Sequence, residues 1–318
     1  MICFRMRVNI QHFLVIAGAV VSIVFVLWYA EVLCDLKEQN NKPELTPEPR
    51  RSFEGFNNVS GVDEYLVPNI VHFIRFKKTN FSFVDAVTVL AAFKNQRPDK
   101  IMFHADDVNF IGPYWEKIKS TPGLVYEIVK VTIPETIFGQ KFSDGWHLWH
   151  AGDVMRIRVL MKYGGIFLDN DSYVVRSVDK FRMYEIAIGW DEDQCIGTQV
   201  ILAHKDARFL RLWLETYRVY HSDQWYYNAG CKPTEEILYR KPELVHRVKL
   251  LFGVHMLVHN LYKTNWEDWK KQYAIHLLMN HRSYLDKEHF DKWPVFTPEN
   301  IKDYNYTFGK MAKEAYGL

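Results

Sequence analysis

Residues 150–171 have the sequence His150-Ala-Gly-Asp-Val-Met-Arg-Ile-Arg-Val-Leu-Met-Lys-Tyr-Gly-Gly-Ile-Phe-Leu-Asp-Asn-Asp171. The apolar spacing predicts a helix over residues 149–163 that ends at Gly164, and residues 166–168 predict a short apolar strand. Asp169 and Asp171 follow that strand directly. Because the two carboxylates stand one residue apart at a strand end, they are expected to project to one point. Hard oxygen ligands of this kind suit Mn²⁺ or Mg²⁺, which can in turn hold a diphosphate.

Predicted strands and helices alternate on both sides of this motif. Strands are expected at residues 67–76, 100–105, 126–133, 166–168, 185–190 and 198–204, and helices at residues 83–93, 114–119, 149–163 and 208–220. This alternation predicts an α/β fold with a mostly parallel sheet and helices on its faces. Ligands bind such sheets beyond the carboxyl ends of the strands, which is where Asp169 and Asp171 are expected.

The N-terminal segment predicts a membrane anchor. Residues 13–30 are almost entirely apolar, and at about 1.5 Å per residue they would span roughly 27 Å as a helix. Arg5 and Arg7 precede the run and acidic residues follow it, so we expect residues 1–12 to form a cytoplasmic tail and the rest of the chain to be lumenal. A cleaved signal peptide is the alternative, but its apolar region is usually about 7–15 residues and ends at a small-x-small site.

Composition divides the lumenal part in two. Residues 31–61 are polar and contain prolines, which predicts a stem, whereas residues 62–318 are rich in aromatic and apolar residues and predict one large domain. The net charge of +2 is close to neutral, and no basic aromatic stripe is present, so nucleic acid is not an expected partner. We expect a single-pass type II protein of the Golgi membrane.

The lumenal assignment gives meaning to two further features. Cys195 and Cys231 either form a disulfide or remain as two free buried thiols, and Cys34 can instead join two chains into a homodimer. The sequence N-x-[ST] begins at Asn58, Asn80, Asn305 and Asn170. Asn170 lies inside the acidic motif, where a glycan would block a metal, so we expect it to remain unmodified.

Asp153 and Arg156 are three residues apart and therefore share one face of the predicted helix. A capping aspartate with an intrahelical ion pair is one interpretation, and a functional pair is the other. His147, His150 and Asp153 also share a helical face and form a rival zinc set, which would indicate a hydrolase. That spacing lacks a catalytic signature such as H-E-x-x-H, so it is the less favoured hypothesis.

Two motifs carry a family resemblance. Ala151-Gly-Asp153-x-x-Arg156 and Tyr163-Gly-Gly-Ile-Phe-Leu-Asp169-x-Asp171 resemble the DXD-containing sugar-transfer glycosyltransferase family. That family includes the yeast initiating α-1,6-mannosyltransferase, animal α-1,4-galactosyltransferase-like enzymes and clostridial glucosylating toxins. Residues 67–74 and 274–284 resemble the family's first strand and its C-terminal segment. The chain departs from the usual pattern with Gly152 for Ser, Phe167 for Tyr, and Arg75 where an aromatic residue is common.

The resemblance implies a GT-A-like, Rossmann-type sheet and a retaining, metal-dependent transferase that uses a nucleotide sugar. Asp153 and Arg156 would then hold hydroxyl groups of the donor sugar. Asp169 would bind the ribose and, through water, the metal, while Asp171 would ligate Mn²⁺ (or Mg²⁺) directly and His276 would close the metal site. The donor-binding residues implied in this way are Val71, His72, Phe73, Asp153, Arg156, Asp169, Asn170, Ser283 and Tyr284.

We therefore expect transfer of a hexose from UDP-galactose, UDP-N-acetylglucosamine, UDP-glucose or GDP-mannose to a glycan, glycolipid or glycoprotein acceptor in the Golgi lumen. A family member that binds nucleotide or sugar without turnover is the non-enzymatic alternative. Two further segments are candidates for the acceptor side. Residues 191–193 (Asp-Glu-Asp) either face the acceptor or form a solvated turn, and residues 225–227 (Trp-Tyr-Tyr) are a candidate acceptor loop.

Overall fold

A computed structural model describes residues 50–253 and 257–318. The predicted tail, the anchor and most of the stem lie outside the described residues. Within the two described ranges, no helix is both long enough and apolar enough to span a bilayer. Residues 51–318 form one compact unit.

The unit contains eleven strands and eight α-helices within the described residues. In chain order the strands are β1 (Ile70–Arg75), β2 (Lys100–Ala105), β3 (Tyr126–Lys130), β4 (Thr136–Ile137), β5 (Gln140–Lys141), β6 (Gly165–Leu168), β7 (Ser172–Val174), β8 (Ile186–Gly189), β9 (Gly197–Ala203), β10 (His246–Val248) and β11 (Ala274–His276). The helices are α1 (Phe83–Gln96), α2 (Pro113–Lys119), α3 (His147–Tyr163), α4 (Arg208–Thr216), α5 (Val258–Tyr262), α6 (Arg282–Leu285), α7 (Lys287–Lys292) and α8 (Thr307–Tyr316).

Seven strands form the central sheet, in the order β10-β8-β9-β6-β1-β2-β3. All neighbouring pairs are parallel except those of β9, which runs antiparallel to both β6 and β8. The prediction of a mostly parallel sheet with flanking helices is therefore confirmed. The exception arises because the link between β8 and β9 is too short for the crossover that a parallel pair needs. Two small antiparallel ribbons, β7–β11 and β4–β5, complete the strand structure.

Both faces of the sheet are buried. Consecutive residues of a strand point to opposite faces, and the side chains on each face pack in a separate apolar cluster. In β6, Ile166 and Leu168 belong to the apolar cluster that contains the inner face of α1, whereas Phe167 packs with α3 and α4. The continuous apolar run of β6 is the pattern expected of a strand covered on both sides. This layering fixes α3 and the end of β6 relative to each other.

The compact unit begins earlier than the sequence predicted. Phe53 and Asn58 are buried. The Asn58 side chain donates to Glu185 Oε2 at 3.1 Å and to the Glu243 carbonyl at 3.0 Å, and it accepts from the Glu185 N–H at 3.1 Å. The predicted boundary between stem and domain at residues 61 and 62 is therefore wrong, because polar composition does not distinguish a hydrogen-bonded buried asparagine from an exposed one. Of the sequons, Asn58 is inaccessible in this fold, whereas Asn80 and Asn305 are exposed.

Cys195 and Cys231 form a disulfide, which decides between the two alternatives left open by the sequence. The bond joins the link between β8 and β9 to the helical turn Tyr227–Cys231. It therefore fixes the C-terminal end of the segment that follows α4.

Replacing Asn58 by alanine is expected to lower the free energy of unfolding by about 1–3 kcal/mol, because it leaves buried partners without hydrogen bonds. Asn305→Ala removes an exposed asparagine and serves as the control, with an expected change within about 0.5 kcal/mol. Chemical denaturation of protein made in a host that does not glycosylate would measure both. Equal stability of the Asn58→Ala variant and the parent would show that residues 51–61 are not part of the fold.

Candidate active site

A cavity of about 650 Å³ lies beyond the carboxyl ends of β1 and β6. Its walls are built by α3, the turn after β6, the segment that follows β11 and residues 225–226. This is the position at which an open α/β sheet is expected to bind ligands. Six residues proposed from the sequence line it together, namely Asp153, Arg156, Asp169, Asn170, Asp171 and His276.

Two glycines direct the chain from α3 into β6. Gly164 and Gly165 have φ angles of 64° and 112°, which non-glycine residues rarely adopt. A Cβ on Gly165 would also stand 2.6 Å from both His72 Nε2 and the Ile70 carbonyl. The glycine pair is therefore needed to bring the strand close to β1 and to place the following carboxylates at the cavity.

The turn that carries the carboxylates is held by backbone and side-chain hydrogen bonds. The Asp169 N–H donates to the Gln199 carbonyl at 3.0 Å, and the Ser172 N–H donates to the Asp169 carbonyl at 2.9 Å. Asn170, between the carboxylates, donates from Nδ2 to the Ile74 carbonyl at 2.8 Å and accepts a bond from Thr88 at its own carbonyl. The Asn170 amide thus ties the turn to β1. The resemblance had implied that Asn170 contacts the nucleotide-sugar donor.

Asp171 and His276 are brought together by the β7–β11 ribbon, in which His276 lies opposite Ser172. His276 Nε2 is 3.2 Å from Asp171 Oδ1, and the Met279 N–H donates to Asp171 Oδ2 at 2.8 Å. Burial raises the pKa of Asp171, but the charge and hydrogen bond of His276 and the Met279 N–H outweigh burial and lower it to about 2. Burial lowers the pKa of His276, and the attraction of Asp171 raises it above its usual value.

Arg156 joins the two acidic parts of the cavity. Its Nη2 lies 2.9 Å from Asp153 Oδ1 and 3.4 Å from Asp169 Oδ1. Its Nη1 donates to both the carbonyl and the hydroxyl of Thr198, each at 2.8 Å. Burial raises the pKa of Asp153 to about 6, with Arg156 opposing the shift and Asp169 adding to it. Asp153 and Arg156 therefore form an intrahelical ion pair that also lines the cavity, so the two interpretations of this pair are compatible.

Asp169 and Asp171 offer oxygen ligands of the kind that Mn²⁺ and Mg²⁺ prefer, and His276 lies beside Asp171. Within residues 50–253 and 257–318, no group of three or more His, Cys, Asp or Glu side chains is placed to hold a metal ion. Such cations commonly take only one or two carboxylates and complete their shell with water and substrate phosphates.

The three residues of the first strand that were predicted to contact the nucleotide do not line the cavity. Val71, His72 and Phe73 are fully buried. His72 donates from Nε2 to the Gly164 carbonyl at 2.8 Å, and its Nδ1 lies 3.0 Å from His104 Nε2. Ile74 and Phe76 line the cavity instead, since they lie nearer the carboxyl end of the same strand.

Ser283 and Tyr284 do not reach the cavity either. Both are exposed on α6, with Tyr284 66% exposed, and the Tyr284 hydroxyl is hydrogen-bonded to His281 Nδ1. The preceding turn Met279–His281 lines the cavity in their place. The resemblance located this segment correctly, but its contact residues lie closer to β11.

The zinc set proposed as a rival does not form. His147 donates from Nε2 to the Pro134 carbonyl at 2.8 Å. His150 donates from Nε2 to the Trp225 carbonyl at 3.1 Å and is bonded at Nδ1 to the Tyr220 hydroxyl. Both imidazoles are thus used by other partners, while Asp153 pairs with Arg156. The zinc-hydrolase hypothesis is therefore contradicted by the geometry.

The acidic turn at residues 191–193 lies outside the cavity lining. Glu192 pairs with Arg247 and Lys249, and Asp191 Oδ1 accepts from the Leu250 N–H at 2.7 Å. The structure therefore favours the solvated-turn interpretation of this segment.

Some cavity residues were not predicted from the sequence: Leu148 and Gly152 line it from α3, and Lys78 lines it from a loop. Trp149 was a candidate for stacking on a sugar, and Asn280 and His281 belong to the segment 274–284 that carried the resemblance. Helical spacing was a usable signal for the residues of α3, because Trp149, Gly152, Asp153 and Arg156 repeat at three- and four-residue intervals on one face. No local pattern marks Lys78.

Arg156→Met is expected to lower the free energy of unfolding by about 3–5 kcal/mol, because it leaves the buried carboxylates of Asp153 and Asp169 without their cation. Arg158→Met changes an exposed arginine of the same helix and is the matched control, with an expected change within about 0.5 kcal/mol. Denaturant titration would compare the two variants. Similar losses in both would mean that the Arg156 ion pairs do not organise the site.

The chain is similar to several known glycosyltransferases. Residues 91–187 match the family described as "Glycosyltransferase sugar-binding region containing DXD motif". The chain is 24% identical over 302 residues to "Glucan organizing enzyme 1" of Cryptococcus neoformans var. grubii serotype A, covering 87% of this chain and 76% of that protein. Similar solved structures include the PaToxG glycosyltransferase (16% identity, 55% of this chain and 69% of that one, TM-score 0.39). Another is the galactosyltransferase LgtC in complex with donor and acceptor sugar analogues (12% identity, 78% of this chain and 95% of that one, TM-score 0.42).

The matched region contains α3, β6 and the four residues Asp153, Arg156, Asp169 and Asp171. The resemblance seen in the sequence is confirmed: residues 91–187 match the model of the glycosyltransferase family whose sugar-binding region contains a DXD motif.

Proposed function

We propose that this chain is a metal-dependent, retaining glycosyltransferase that moves a hexose from a UDP- or GDP-sugar to a glycan or glycoconjugate acceptor. The observation that carries the proposal is the convergence of Asp169, Asp171 and His276 on the cavity that Asp153 and Arg156 also line. The family match supports the transferase class. Retention, the GT-A architecture and the choice of hexose rest on the resemblance of the motifs.

The charges of the cavity support a requirement for a cation. Four aspartates line it, namely Asp85, Asp153, Asp169 and Asp171. Arg156 is already paired with two of them. A nucleoside diphosphate is an anion, and the carboxylates of Asp169 and Asp171 would repel it if it approached them directly. A divalent cation held at Asp169 and Asp171, with His276 beside them, would turn the surface into a diphosphate-binding one.

The residues of the chain then divide the work of binding. A bound divalent cation supplies Lewis-acid stabilisation of the diphosphate leaving group. Asp153, fixed by Arg156 at the cavity wall, is placed to accept hydrogen bonds from hydroxyl groups of the donor sugar. Because Arg156 is itself anchored on Thr198, this part of the site is held in place before substrate binds, which is the condition for electrostatic stabilisation without reorganisation.

Donor turnover by the purified full chain tests this function. UDP- and GDP-sugars with Mn²⁺ should be hydrolysed or transferred, and the Asp169→Asn/Asp171→Asn double variant should lose at least about a hundredfold in rate because the cation is no longer held. Asp291→Asn, which changes an exposed aspartate paired with Lys287, is the control. Equal rates in the double variant and the parent would refute the proposed metal site.

The same assay separates the non-enzymatic alternative. Nucleotide binding that depends on Mn²⁺, without turnover of any donor and in the presence of glycan acceptors, would identify a binding protein. For the donor that reacts, the NMR spectrum of the first-formed product reports the anomeric configuration, and inversion would contradict the retaining assignment.

We also propose that the catalytic unit lies in the Golgi lumen, with residues 13–30 as the anchor of a single-pass type II protein. The Cys195–Cys231 disulfide supports a compartment in which disulfides persist. Asn80 and Asn305 are exposed and should then carry glycans. Full-length protein made in animal cells should lose mass on endoglycosidase treatment, and Asn80→Gln/Asn305→Gln should remove that shift. The topology would be contradicted if the parent protein carried no glycan and its catalytic unit were digested by protease added from the cytosolic side of the membrane.

A further inference from the structure

We propose that Trp149 and Trp225 form a stacking platform for the acceptor, and that the acceptor group bound there is a pyranose ring. This inference rests on the proposed function, and it names the class of acceptor that the same cavity takes. Trp149 belongs to α3, and Trp225 belongs to the segment between α4 and the turn Tyr227–Cys231. The sequence had grouped Trp225 with Tyr226 and Tyr227, but the ring that meets it is that of Trp149.

The two tryptophans stand at the open end of the cavity. Trp149 is 50% exposed and Trp225 is 38% exposed, whereas Asp153 and Arg156 are each only 8% exposed. All four line the same cavity. The indole rings meet edge to face, with centroids 5.6 Å apart and an interplanar angle of 69°. A ligand that reaches the charged base therefore passes two partly exposed aromatic faces.

The position of Trp225 is fixed by its neighbours. His150 donates from Nε2 to the Trp225 carbonyl at 3.1 Å, and the Tyr226 hydroxyl donates to the Ile196 carbonyl at 2.6 Å. The Cys195–Cys231 disulfide closes the segment a few residues later. Because these contacts hold the backbone at Trp225 and on its C-terminal side, its ring is available at little further cost in conformational entropy.

Gly152 keeps the passage between the mouth and the base open. It lines the cavity on the same face of α3 as Trp149 and Arg156, and a Cβ added to it would meet no atom within 4 Å. The helical rise places Trp149 and Arg156 about 10 Å apart along the axis. That length accommodates two sugar rings in succession, one at Asp153 and Arg156 and the next on the tryptophans.

The chemistry of the mouth favours a sugar over an acyl chain or a peptide. A pyranose has one apolar C–H face, which packs on an indole ring, and hydroxyl groups around its edge that need polar partners. Asn280 and His281 line the cavity near the platform, and Trp225 and His281 have ring centroids 6.3 Å apart. An acyl chain would need a longer continuous apolar wall, and the charged Lys78 and Asp85 interrupt this one.

Steady-state transfer by the full chain tests the platform, with methyl α- and β-pyranosides of galactose, glucose, mannose and N-acetylglucosamine as acceptor probes. Trp149→Ala and Trp225→Ala should each raise the acceptor KM about tenfold, as loss of an aromatic contact predicts, while the donor KM changes less than about twofold. Tyr239→Ala is the matched control, because Tyr239 is an exposed aromatic residue outside the cavity. An unchanged acceptor KM in both tryptophan variants would overturn the proposal.

A second variant acts on the passage and not on the platform. Gly152→Leu should lower kcat/KM for the pyranoside at least tenfold, because its side chain projects into the cavity, while the Tm rises since leucine favours the helix more than glycine does. Unchanged transfer by this variant would contradict the proposal that Gly152 keeps the passage open. Transfer to a serine- and threonine-containing peptide or to an alkyl alcohol, with no pyranoside used, would overturn the assignment to a sugar.

Direct binding separates failure of this inference from failure of the proposed function. Methyl pyranosides should quench the intrinsic tryptophan fluorescence of the parent, and the effect should shrink in Trp149→Ala/Trp225→Ala beyond the loss of two fluorophores. Saturable quenching without any donor turnover would support the platform and refute the transferase. Donor turnover with no pyranoside binding at any concentration would support the transferase and refute the platform.

Discussion

The buried guanidinium of Arg156 is the interaction on which the rest of the site depends. It links α3, β9 and the end of β6 through Asp153, Thr198 and Asp169. Two carboxylates that burial would otherwise force toward their neutral forms are kept beside a cation, and the pKa of Asp153 still rises to about 6. Such a network is favourable only when every member has its partner. Because one arginine serves two carboxylates, the network joins Asp153 on α3 to Asp169 at the end of β6.

The second constraint acts over a long distance in the chain. Asp171 is bonded through Oδ2 to the Met279 N–H, and Leu277 donates its N–H to the Asp171 carbonyl. The β7–β11 ribbon thereby adds His276 and the turn Met279–His281 to a site whose other walls come from residues 74–85, 148–199 and 225–226. The last part of the chain then packs α8 against α1 in a separate apolar cluster, so that the ribbon is supported from behind. The C-terminal residues thus stabilise the wall that carries Asp171 and His276 without lining it.

Local sequence signals predicted the α3–β6 unit and the aspartates after it, but they did not predict contacts between distant parts of the chain. The α3–β6 unit and the aspartates after it were predictable because helix spacing, the glycine pair and the apolar strand all lie within about twenty residues. His276 was found only through the resemblance, since its pairing with Asp171 depends on a ribbon that no local pattern encodes. Val71, His72 and Phe73 were placed on the correct strand but at the wrong depth, because alternation gives the face of a residue and not its distance from the strand end. Asn58 was assigned to the stem because composition does not report whether a polar group finds buried partners.

The same face of α3 supplies both ends of the cavity. Trp149 lies at the mouth, Gly152 follows one turn later, and Asp153 and Arg156 form the base. A helix packed on the sheet through Val154, Ile157 and Leu160 cannot rotate one of these groups without moving the others. The proposed donor and acceptor sides are therefore carried by one rigid element, and the helical repeat sets the distance between them. If the proposal holds, a change of acceptor needs new residues at the exposed end of α3 and in the Trp225 segment, while the charged base is preserved.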